Sequence, residues 1–320
     1  MIKPIAMRDA YLRRIHRAMD EDVKIFFISA DFGSPVLDDI RRDFPERFIN
    51  VGVAEQNLIN ISAGLSLEGF KVFAYAIAPF ITMRCFEQLR VNLALLSEVR
   101  DLNVTLIGVG AGYSYVVSGP THQCYEDLTL IRSLPNFKLI SPSDHLVTES
   151  FFDYCLETKG IKYLRLDAQV LPVLREHTSR SLVNKGFELL KEEGNDGVVL
   201  ATGYMVHTAL KVTAKLNESG YKIAVIDFLN LADFCLTELL DILKHMPLII
   251  SLEEGFEGRG GLDALIRSTL SNAKINTKFL GIGVRPGYSF ELGSRQELHE
   301  KVGIGENVVL KRIQSQLLDN

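Results

Sequence analysis

The 320-residue sequence has no tryptophan, four cysteines and ten prolines. The cysteines, at positions 85, 124, 155 and 235, are widely spaced and form no CxxC pair, so we expect reduced, mostly buried thiols rather than a structural zinc site. No apolar run reaches the roughly 18 to 20 residues that a membrane-spanning helix needs, and no signal peptide is visible at the start. The sequence therefore predicts a cytoplasmic protein.

A strong charge of one sign is also lacking. The 35 lysines and arginines nearly balance the 40 aspartates and glutamates, which gives a net charge of −5, and no basic run stands out. Nucleic acid and anionic membranes are therefore not expected as partners. Hydrophobic residues make up 47% of the chain, which excludes disorder, and the length favours two domains with one core each.

The chain alternates short β-branched or apolar runs with longer stretches of helical period, which is typical of βαβ units and a mostly parallel sheet. The predicted class is α/β. The first half predicts strands at Lys24–Asp31, Lys71–Ile77, Val104–Val109, Lys138–Ile140 and Lys162–Leu166. Helices are predicted at Met7–Met19, Glu55–Leu67, Phe80–Leu96, Glu126–Leu134 and His145–Glu157.

A segment with little periodicity, Leu171–Lys185, is interpreted as a linker, so the predicted domains are residues 1–175 and 186–320. The second domain is a smaller α/β unit, with predicted strands at Val198–Ala201, Lys222–Asp227 and Leu248–Leu252 and helices near Val206–Glu218 and Leu236–His245. Another helix follows the GRGG string at 258–261. This string could hold an anion at the helix start, although such glycine clusters more often form tight turns.

The string VGVAEQN places Glu55 at the start of a predicted helix, directly after a short apolar strand. A carboxylate there can simply complement the helix dipole. The small neighbours Gly52 and Ala54 instead favour a ligand site, because open α/β sheets bind ligands at strand-to-helix junctions. A partly desolvated carboxylate at this place could share a proton with a ligand.

The string SGPTHQ, residues 118–123, follows the strand at Val104–Val109 and a glycine-containing loop. Gly119 and Pro120 predict a turn that presents His122 at the end of that strand. A lone histidine is commonly a structural hydrogen-bonding residue. However, His122 and Glu55 both follow strands of the same predicted sheet, which favours a shared site.

In the string PFITMRCFEQLR, apolar residues recur at helical spacing, and most should pack in the core. Phe80, in the first turn, is the aromatic residue placed to face a flat heterocycle at the sheet edge. The sequence has no GxGxxG after a strand, no GxxxxGK[ST], no GxSxG and no HExxH. It also lacks a GDG…N string, so we assign no metal ligand.

Taken together, these strings resemble the transketolase family of thiamine diphosphate enzymes. VGVAEQN is similar to the segment with the catalytic glutamate, PFITMRCFEQLR to the aromatic segment, and SGPTHQ to the GPTHQ segment. ATGYMVHTAL and SLEEGFEGRGG resemble the carboxy-terminal pattern. The resemblance covers the second half of a full-length transketolase and implies two three-layer α/β/α domains, a pyrimidine-binding domain followed by a smaller C-terminal domain.

The resemblance also implies residue roles. Glu55 would hydrogen-bond a ring nitrogen of the cofactor's aminopyrimidine, Phe80 would stack on that ring, and Asp31, in the SADFGSP string, would lie near the thiazolium. His122 would exchange a proton with the substrate, whose oxygens would also meet Ser118 and Gln123.

Several positions depart from the family pattern, among them Ile77 and Met83, which stand where aromatic residues are common. Ser118 stands where an acidic residue is usual, and Gly110 or a neighbour stands where the loop has a histidine. Ala168 replaces the phosphate-binding arginine, although Arg165 is close in sequence. An arginine clamp supplies both charge and bidentate geometry for a phosphate, so its loss favours an acceptor that is not a standard sugar phosphate. The residues expected to bind the cofactor are kept, whereas those expected to bind the substrate are altered.

The resemblance implies a separate amino-terminal chain with the diphosphate-binding domain, which would bind Mg²⁺ or Ca²⁺ and share the thiamine diphosphate. The present chain would dimerise within a heterotetramer and transfer a two-carbon ketol unit between sugar-type substrates. Two alternatives stay open: a subunit of an enzyme like 1-deoxyxylulose-5-phosphate synthase or a 2-oxo acid dehydrogenase, and a non-catalytic module of the same fold.

Overall fold

The computed structural model describes residues 2–31, 33–191 and 194–318, which build two α/β units. The first unit is a sheet of six parallel strands in the spatial order β2-β1-β3-β4-β6-β5. These strands are β1 (Ile25–Ser29), β2 (Phe48–Asn50), β3 (Lys71–Ile77), β4 (Asn103–Val109), β5 (Phe137–Ile140) and β6 (Gly160–Leu166). Since every strand is parallel, all six carboxyl ends lie at one edge.

Helices cover both faces of this sheet. They are α1 (Met7–Glu21), α2 (Pro35–Asp43), α3 (Glu55–Leu67), α4 (Phe86–Gln88), α5 (Asp127–Arg132) and α6 (His145–Glu157). Side chains alternate between the faces: Phe27 of β1 packs in an apolar cluster with Tyr11 of α1, whereas Ile28 packs in a second cluster with Leu58 of α3. No helix within the described ranges is long and apolar enough to span a membrane.

The predicted continuous helix Phe80–Leu96 is wrong in detail. It consists of α4 between two π-helical stretches, Phe80–Arg84 and Leu89–Leu95. The Thr82 hydroxyl donates to the Ala78 carbonyl at 2.7 Å, and the Cys85 thiol donates to the Ile81 carbonyl at 2.9 Å. Side chains that bond to the backbone carbonyl four residues earlier compete with regular helical bonding. Such irregular helical stretches are frequent at functional sites.

The second unit is a five-stranded mixed sheet in the order β11-β10-β8-β9-β7. Its strands are β7 (Phe187–Lys191), β8 (Gly197–Ala201), β9 (Ile223–Phe228), β10 (Leu248–Phe256) and β11 (Lys278–Val284). Helix α7 (Arg180–Lys185) precedes this sheet, and the helices that follow are α8 (Met205–Glu218), α9 (Leu236–Leu243), α10 (Leu262–Asn272), α11 (Arg295–Val302) and α12 (Glu306–Leu318). Strand β7 pairs antiparallel with β9, which the sequence did not predict. The predicted class, two layered α/β domains, is confirmed.

The expectation of two separate cores is wrong. The described residues form three apolar clusters, and one of them contains side chains of both sheets, such as Leu106 of β4 and Leu200 of β8. The predicted linker is also more ordered than expected, since it includes helix α7. Arg175 donates to the buried Asp227 of β9 at 2.6 Å. The segment between the sheets is therefore fixed by a buried ion pair.

Two consecutive carboxylates on β10 have opposite surroundings. Burial raises the pKa of Glu253 to about 7, and its carboxylate accepts the Asp263 backbone N–H at the start of α10. A Cβ at Gly261 would lie only 2.1 Å from Glu253. The GRGG turn therefore packs against a carboxylate of the chain itself, and the tight-turn interpretation fits better than an external anion site.

Glu254 is the other carboxylate. Although burial alone would raise the pKa of Glu254, Arg295 and His299 hold it well below its usual range. Arg295 donates to both oxygens of Glu254, at 3.1 and 2.7 Å, and to Asp167 at 2.6 Å. Asp167 directly follows β6, so this network joins the second unit to the sheet edge of the first.

The neighbouring carboxylates generate a prediction about pH. Glu254 has a lowered folded-state pKa, so its contribution to stability is present above its unfolded pKa near 4.5 and is lost as the pH falls. Glu253 has a raised folded-state pKa, so its contribution is present below about 4.5 and is lost as the pH rises towards 7. We expect Glu254→Gln to destabilise the chain at pH 7.5 by roughly 3 kcal/mol.

The matched variant Glu253→Gln should be at least as stable as the unchanged chain at pH 7.5 and should reduce the decline in stability between pH 5 and 7. Part of the decline should remain, because burial also raises the pKa of Asp227, to about 6. Melting temperatures followed by circular dichroism from pH 4 to 8 test both effects. Equal losses in the two variants at pH 7.5 would contradict the assignment.

Candidate functional site

The sequence-predicted residues lie along the carboxyl edge of the parallel sheet. Asp31 follows β1, Glu55 follows β2, Phe80 follows β3, and His122 lies in the loop after β4. Neighbouring parallel strands bring their carboxyl ends together, and this is where α/β sheets bind ligands. Contacts between the side chains show which of these residues meet.

Glu55 is a buried carboxylate at the first position of α3. Only 2% of its surface is exposed, and its Oε2 accepts a 2.7 Å hydrogen bond from Nη1 of Arg84. The side chain of Arg84 is 45% exposed. The carboxylate is thus shielded from water while its cationic partner reaches it from the solvent side.

Phe80 connects Glu55 to His122. The guanidinium carbon of Arg84 lies 4.5 Å from the centre of the Phe80 ring, a cation–π contact. The ring of His122 meets Phe80 edge-on, with 5.3 Å between the ring centres. The structure therefore brings Glu55, Phe80 and His122 together through Arg84, over one continuous set of contacts.

The loop that carries His122 is turned as the sequence predicted. The backbone N–H groups of His122 and Gln123 both donate to the Gly119 carbonyl, at 3.1 and 3.2 Å. The Thr121 hydroxyl lies 3.0 Å from Nδ1 of His122. Ser118 is exposed beside this turn. Gln123 is buried, and its amide oxygen accepts from the Tyr125 hydroxyl, so this side chain supports the loop from within.

Two glycines set the path of the same loop. Gly110 has φ +108°, and a Cβ there would lie 2.2 Å from the ring of Tyr115, which makes an edge contact with His122 at 6.4 Å. Gly112 has φ +54°, and a Cβ there would lie 2.2 Å from Glu254. Glu254 also accepts the Tyr113 backbone N–H at 3.1 Å. The second unit thus holds the loop that presents His122.

Asp31 occupies a separate part of the edge. It is exposed and has φ +52°, a conformation that non-glycine residues rarely adopt. Asn50, at the end of β2, donates to the Asp31 carboxylate at 3.0 Å and accepts the backbone N–H groups of Asp31 and Gly52, at 3.1 and 2.9 Å. Asn50 therefore ties Asp31 to the segment that leads into Glu55.

Comparisons with known proteins agree with this geometry. Residues 3–173 match the family model of the transketolase pyrimidine binding domain, and residues 186–309 match that of the transketolase C-terminal domain. The chain belongs to the transketolase family. A split gene transketolase, solved as an inactive beta4 tetramer, superposes with a TM-score of 0.83 over 99% of both chains at 29% identity.

Two curated relatives differ in how much of their length is matched. One of the separate subunits of the apulose-4-phosphate transketolase of Phocaeicola vulgatus is 28% identical over 96% of this chain and 96% of its own length. The 1-deoxy-D-xylulose-5-phosphate synthase of a Synechococcus species is 27% identical over 97% of this chain but only 47% of its own length. The chain therefore matches nearly the whole of a separate transketolase subunit but about half of a longer enzyme, and the predicted resemblance to the transketolase family is confirmed.

Within this transketolase-family frame, Arg165 does not replace the arginine that is absent at Ala168. Arg165 is fully buried, and its Nε donates to Asp127 at 2.8 Å. Tyr163 donates to the same carboxylate at 3.0 Å. The guanidinium of Arg165 is thus committed to the interior and is not presented to a ligand.

Arg8 of α1 carries a positive charge that acts on Tyr115 of the loop before His122. Burial raises the pKa of Tyr115 to about 12, and the positive charge of Arg8 opposes this shift. Arg8 also donates to Asp9 at 2.8 Å, and the Ser34 hydroxyl donates to the same carboxylate. The sequence did not single out Arg8, because nothing in α1 links it to the loop before His122.

Other residues were also missed. Arg84 is the first charged residue of the PFITMRCFEQLR string and lies four residues after Phe80, one helical turn away, which was the signal that could have revealed it. Tyr115, whose ring contacts His122, and Asn50, whose amide bonds Asp31, carry no such signal. The four cysteines are unpaired thiols as predicted, and burial raises the pKa of Cys85, next to Arg84, to about 12.

The positive φ of Asp31 can be tested by substitution. Glycine adopts positive φ without the Cβ penalty, whereas alanine retains it. We expect Asp31→Gly to melt close to the unchanged chain and Asp31→Ala to be less stable by about 1 kcal/mol. Urea unfolding followed by circular dichroism measures the difference, and an alanine variant as stable as the glycine variant would contradict the positive φ.

Proposed function

We propose that the chain is the carboxy-terminal subunit of a split transketolase-type enzyme that transfers a two-carbon ketol unit between sugar-type substrates. The observation that carries this proposal is the convergence of Glu55, Phe80 and His122 on one sheet edge of a transketolase-family chain. The full-length similarity to a separately encoded transketolase subunit and to a split gene transketolase supports the division into two chains.

The residues at this edge suit the aminopyrimidine of thiamine diphosphate. Glu55 offers a buried acceptor for a ring nitrogen, and Phe80 offers an aromatic face for a flat heterocycle. When bound, the cofactor supplies the carbanion-stabilising chemistry that protein side chains lack. We propose that the diphosphate and a Mg²⁺ or Ca²⁺ ion are held by a separate amino-terminal subunit.

The chain's own residues then have distinct tasks. Glu55, which is 2% exposed, would hold a proton at the pyrimidine nitrogen when the cofactor is bound. With Nδ1 beside the Thr121 hydroxyl, His122 has Nε2 available to give a proton to a substrate oxygen or take one from it. We propose that Ser118, which is exposed at the turn before His122, contacts the substrate, and that the exposed Asp31 would face the thiazolium end of the cofactor. Gln123 contributes by supporting the turn.

We further propose that the domains span residues 1–175 and 186–320, and that the chain dimerises within a heterotetramer. The relative solved as an inactive beta4 tetramer supports self-association without activity. A chain without its partner would then be folded but inactive.

This proposal predicts that reconstitution with the amino-terminal subunit, thiamine diphosphate and magnesium produces ketol transfer. Glu55→Ala should lower kcat of the complex by about 10²- to 10⁴-fold, because the proton at the pyrimidine is no longer controlled. Glu87→Ala, an exposed glutamate in the same region, is the matched control and should leave kcat unchanged.

Ketol transfer by the chain without any partner would refute the split-enzyme proposal. Full activity of the Glu55→Ala complex would indicate a non-catalytic module. Pyruvate decarboxylation without ketose turnover would favour the synthase-like alternative, which the match to 1-deoxy-D-xylulose-5-phosphate synthase keeps open.

The substrate side generates a second prediction. Because Ala168 supplies no charge and Arg165 is committed to Asp127, we propose an acceptor other than a standard pentose phosphate. Ala168→Arg should raise kcat/KM for a phosphorylated aldose by about tenfold relative to its unphosphorylated counterpart, because a bidentate phosphate contact is added. Ala168→Gln, which adds bulk without charge, is the control. A clear preference of the unchanged complex for pentose phosphates would contradict the proposal.

A further inference from the structure

Arg84 makes two contacts that the proposed function assigns to the cofactor ring. Its Nη1 donates to the carboxylate of Glu55 at 2.7 Å, and its guanidinium carbon lies 4.5 Å from the centre of the Phe80 ring. A guanidinium is planar, carries N–H donors in its plane and stacks on aromatic faces. It can therefore present a flat face to Phe80 and one N–H donor to Glu55, as a protonated nitrogen heterocycle would.

The burial of Glu55 explains why such a substitute is needed. A buried carboxylate without a partner is strongly unfavourable. Within the described residues, the side chain of Arg84 is the hydrogen-bonding partner recorded for the Glu55 carboxylate, which is 2% exposed. Without a ligand, this pairing keeps the charge of Glu55 compensated.

Arg84 itself is not locked in place. Its side chain is 45% exposed, and it lies at the end of the π-helical stretch Phe80–Arg84. The neighbouring Met83 is 39% exposed. An arginine at this boundary regains hydration when it leaves the carboxylate, so its displacement costs much less than the removal of a buried partner.

We propose that Arg84 occupies the pyrimidine place of the cofactor-free chain, bonded to Glu55 and stacked on Phe80, and that thiamine diphosphate binds by displacing it. This inference rests on the proposed function. Arg84 acts here as a positioning residue that keeps Glu55 paired and Phe80 covered. The cofactor must break these contacts, so its apparent affinity is lower than the intrinsic affinity of the open site.

The test measures the Kd of thiamine diphosphate, with magnesium present, by calorimetry on the reconstituted complex. Arg84→Met removes the competing guanidinium and should lower Kd by about two- to tenfold, which is the range of one charge-assisted contact at a partly exposed position. Arg84→Gln is a second variant and should act in the same direction. Arg90→Met, which changes an exposed arginine of the following π-helical stretch, is the matched control and should leave Kd unchanged.

Coupling to Glu55 provides a measurement that a merely structural role would not change. In a Glu55→Gln background the ion pair is already absent, so Arg84→Met should alter Kd by less than about twofold. In the cofactor-free chain at pH 8, Arg84→Met should lower the melting temperature, and Glu55→Gln should abolish most of that loss. A similar loss in both backgrounds would overturn the inference.

The outcomes separate this inference from the proposed function. Equal or weaker cofactor binding by both Arg84 variants would make Arg84 a contact of the bound state and overturn the displacement, while the split-enzyme proposal would stand. No cofactor binding by the unchanged complex would refute the cofactor assignment itself. Tighter binding by the Arg84 variants only where Glu55 is retained would support the displacement.

Discussion

The buried carboxylate of Glu254 determines how the two units of the chain meet. It accepts from Arg295 through both oxygens, from the Tyr113 backbone N–H, and lies 2.7 Å from Nε2 of His299. A buried ion pair is costly to break once formed, because the remaining charge is left without water. Through Tyr113, a residue of β10 therefore fixes the loop that ends in His122, and the position of the candidate site depends on the second unit.

The same interface explains why two predicted cores became three clusters. A chain of this length can form two independent domains, but here Leu106 and Leu200 belong to one shared apolar layer. The ion networks of Arg295 and Arg175 lie beside this layer and are satisfied from both units. If one unit slid against the other, apolar surface would be exposed and buried charges would lose their partners at the same time. The arrangement is thus suited to hold a site at a rigid edge.

The sequence predicted those candidate site residues whose position follows directly from the end of a strand. Glu55 and His122 could be predicted because each follows a strand of a parallel sheet, and Phe80 because it opens the helical stretch after β3. The contacts that complete the site could not be predicted. Arg84 contacts Glu55 only through tertiary packing. In the same way, the ring of Tyr115 occupies the space that a Cβ at position 110 would need. Neither periodicity nor turn chemistry carries that information.

Arg165 cannot take the place of an arginine at position 168, although the two positions are close in sequence. Its Nε donates to the buried Asp127. Withdrawing Arg165 would leave that carboxylate with neutral donors, the Tyr163 hydroxyl and the Leu128 backbone N–H. Its charge is required inside, so it cannot also serve a ligand. Arg8, in the first turn of α1, is partly exposed, but its guanidinium is already paired with Asp9 at 2.8 Å. Arg165 and Arg8 are thus both paired with carboxylates of the chain itself, which agrees with the proposed acceptor that is not a standard sugar phosphate.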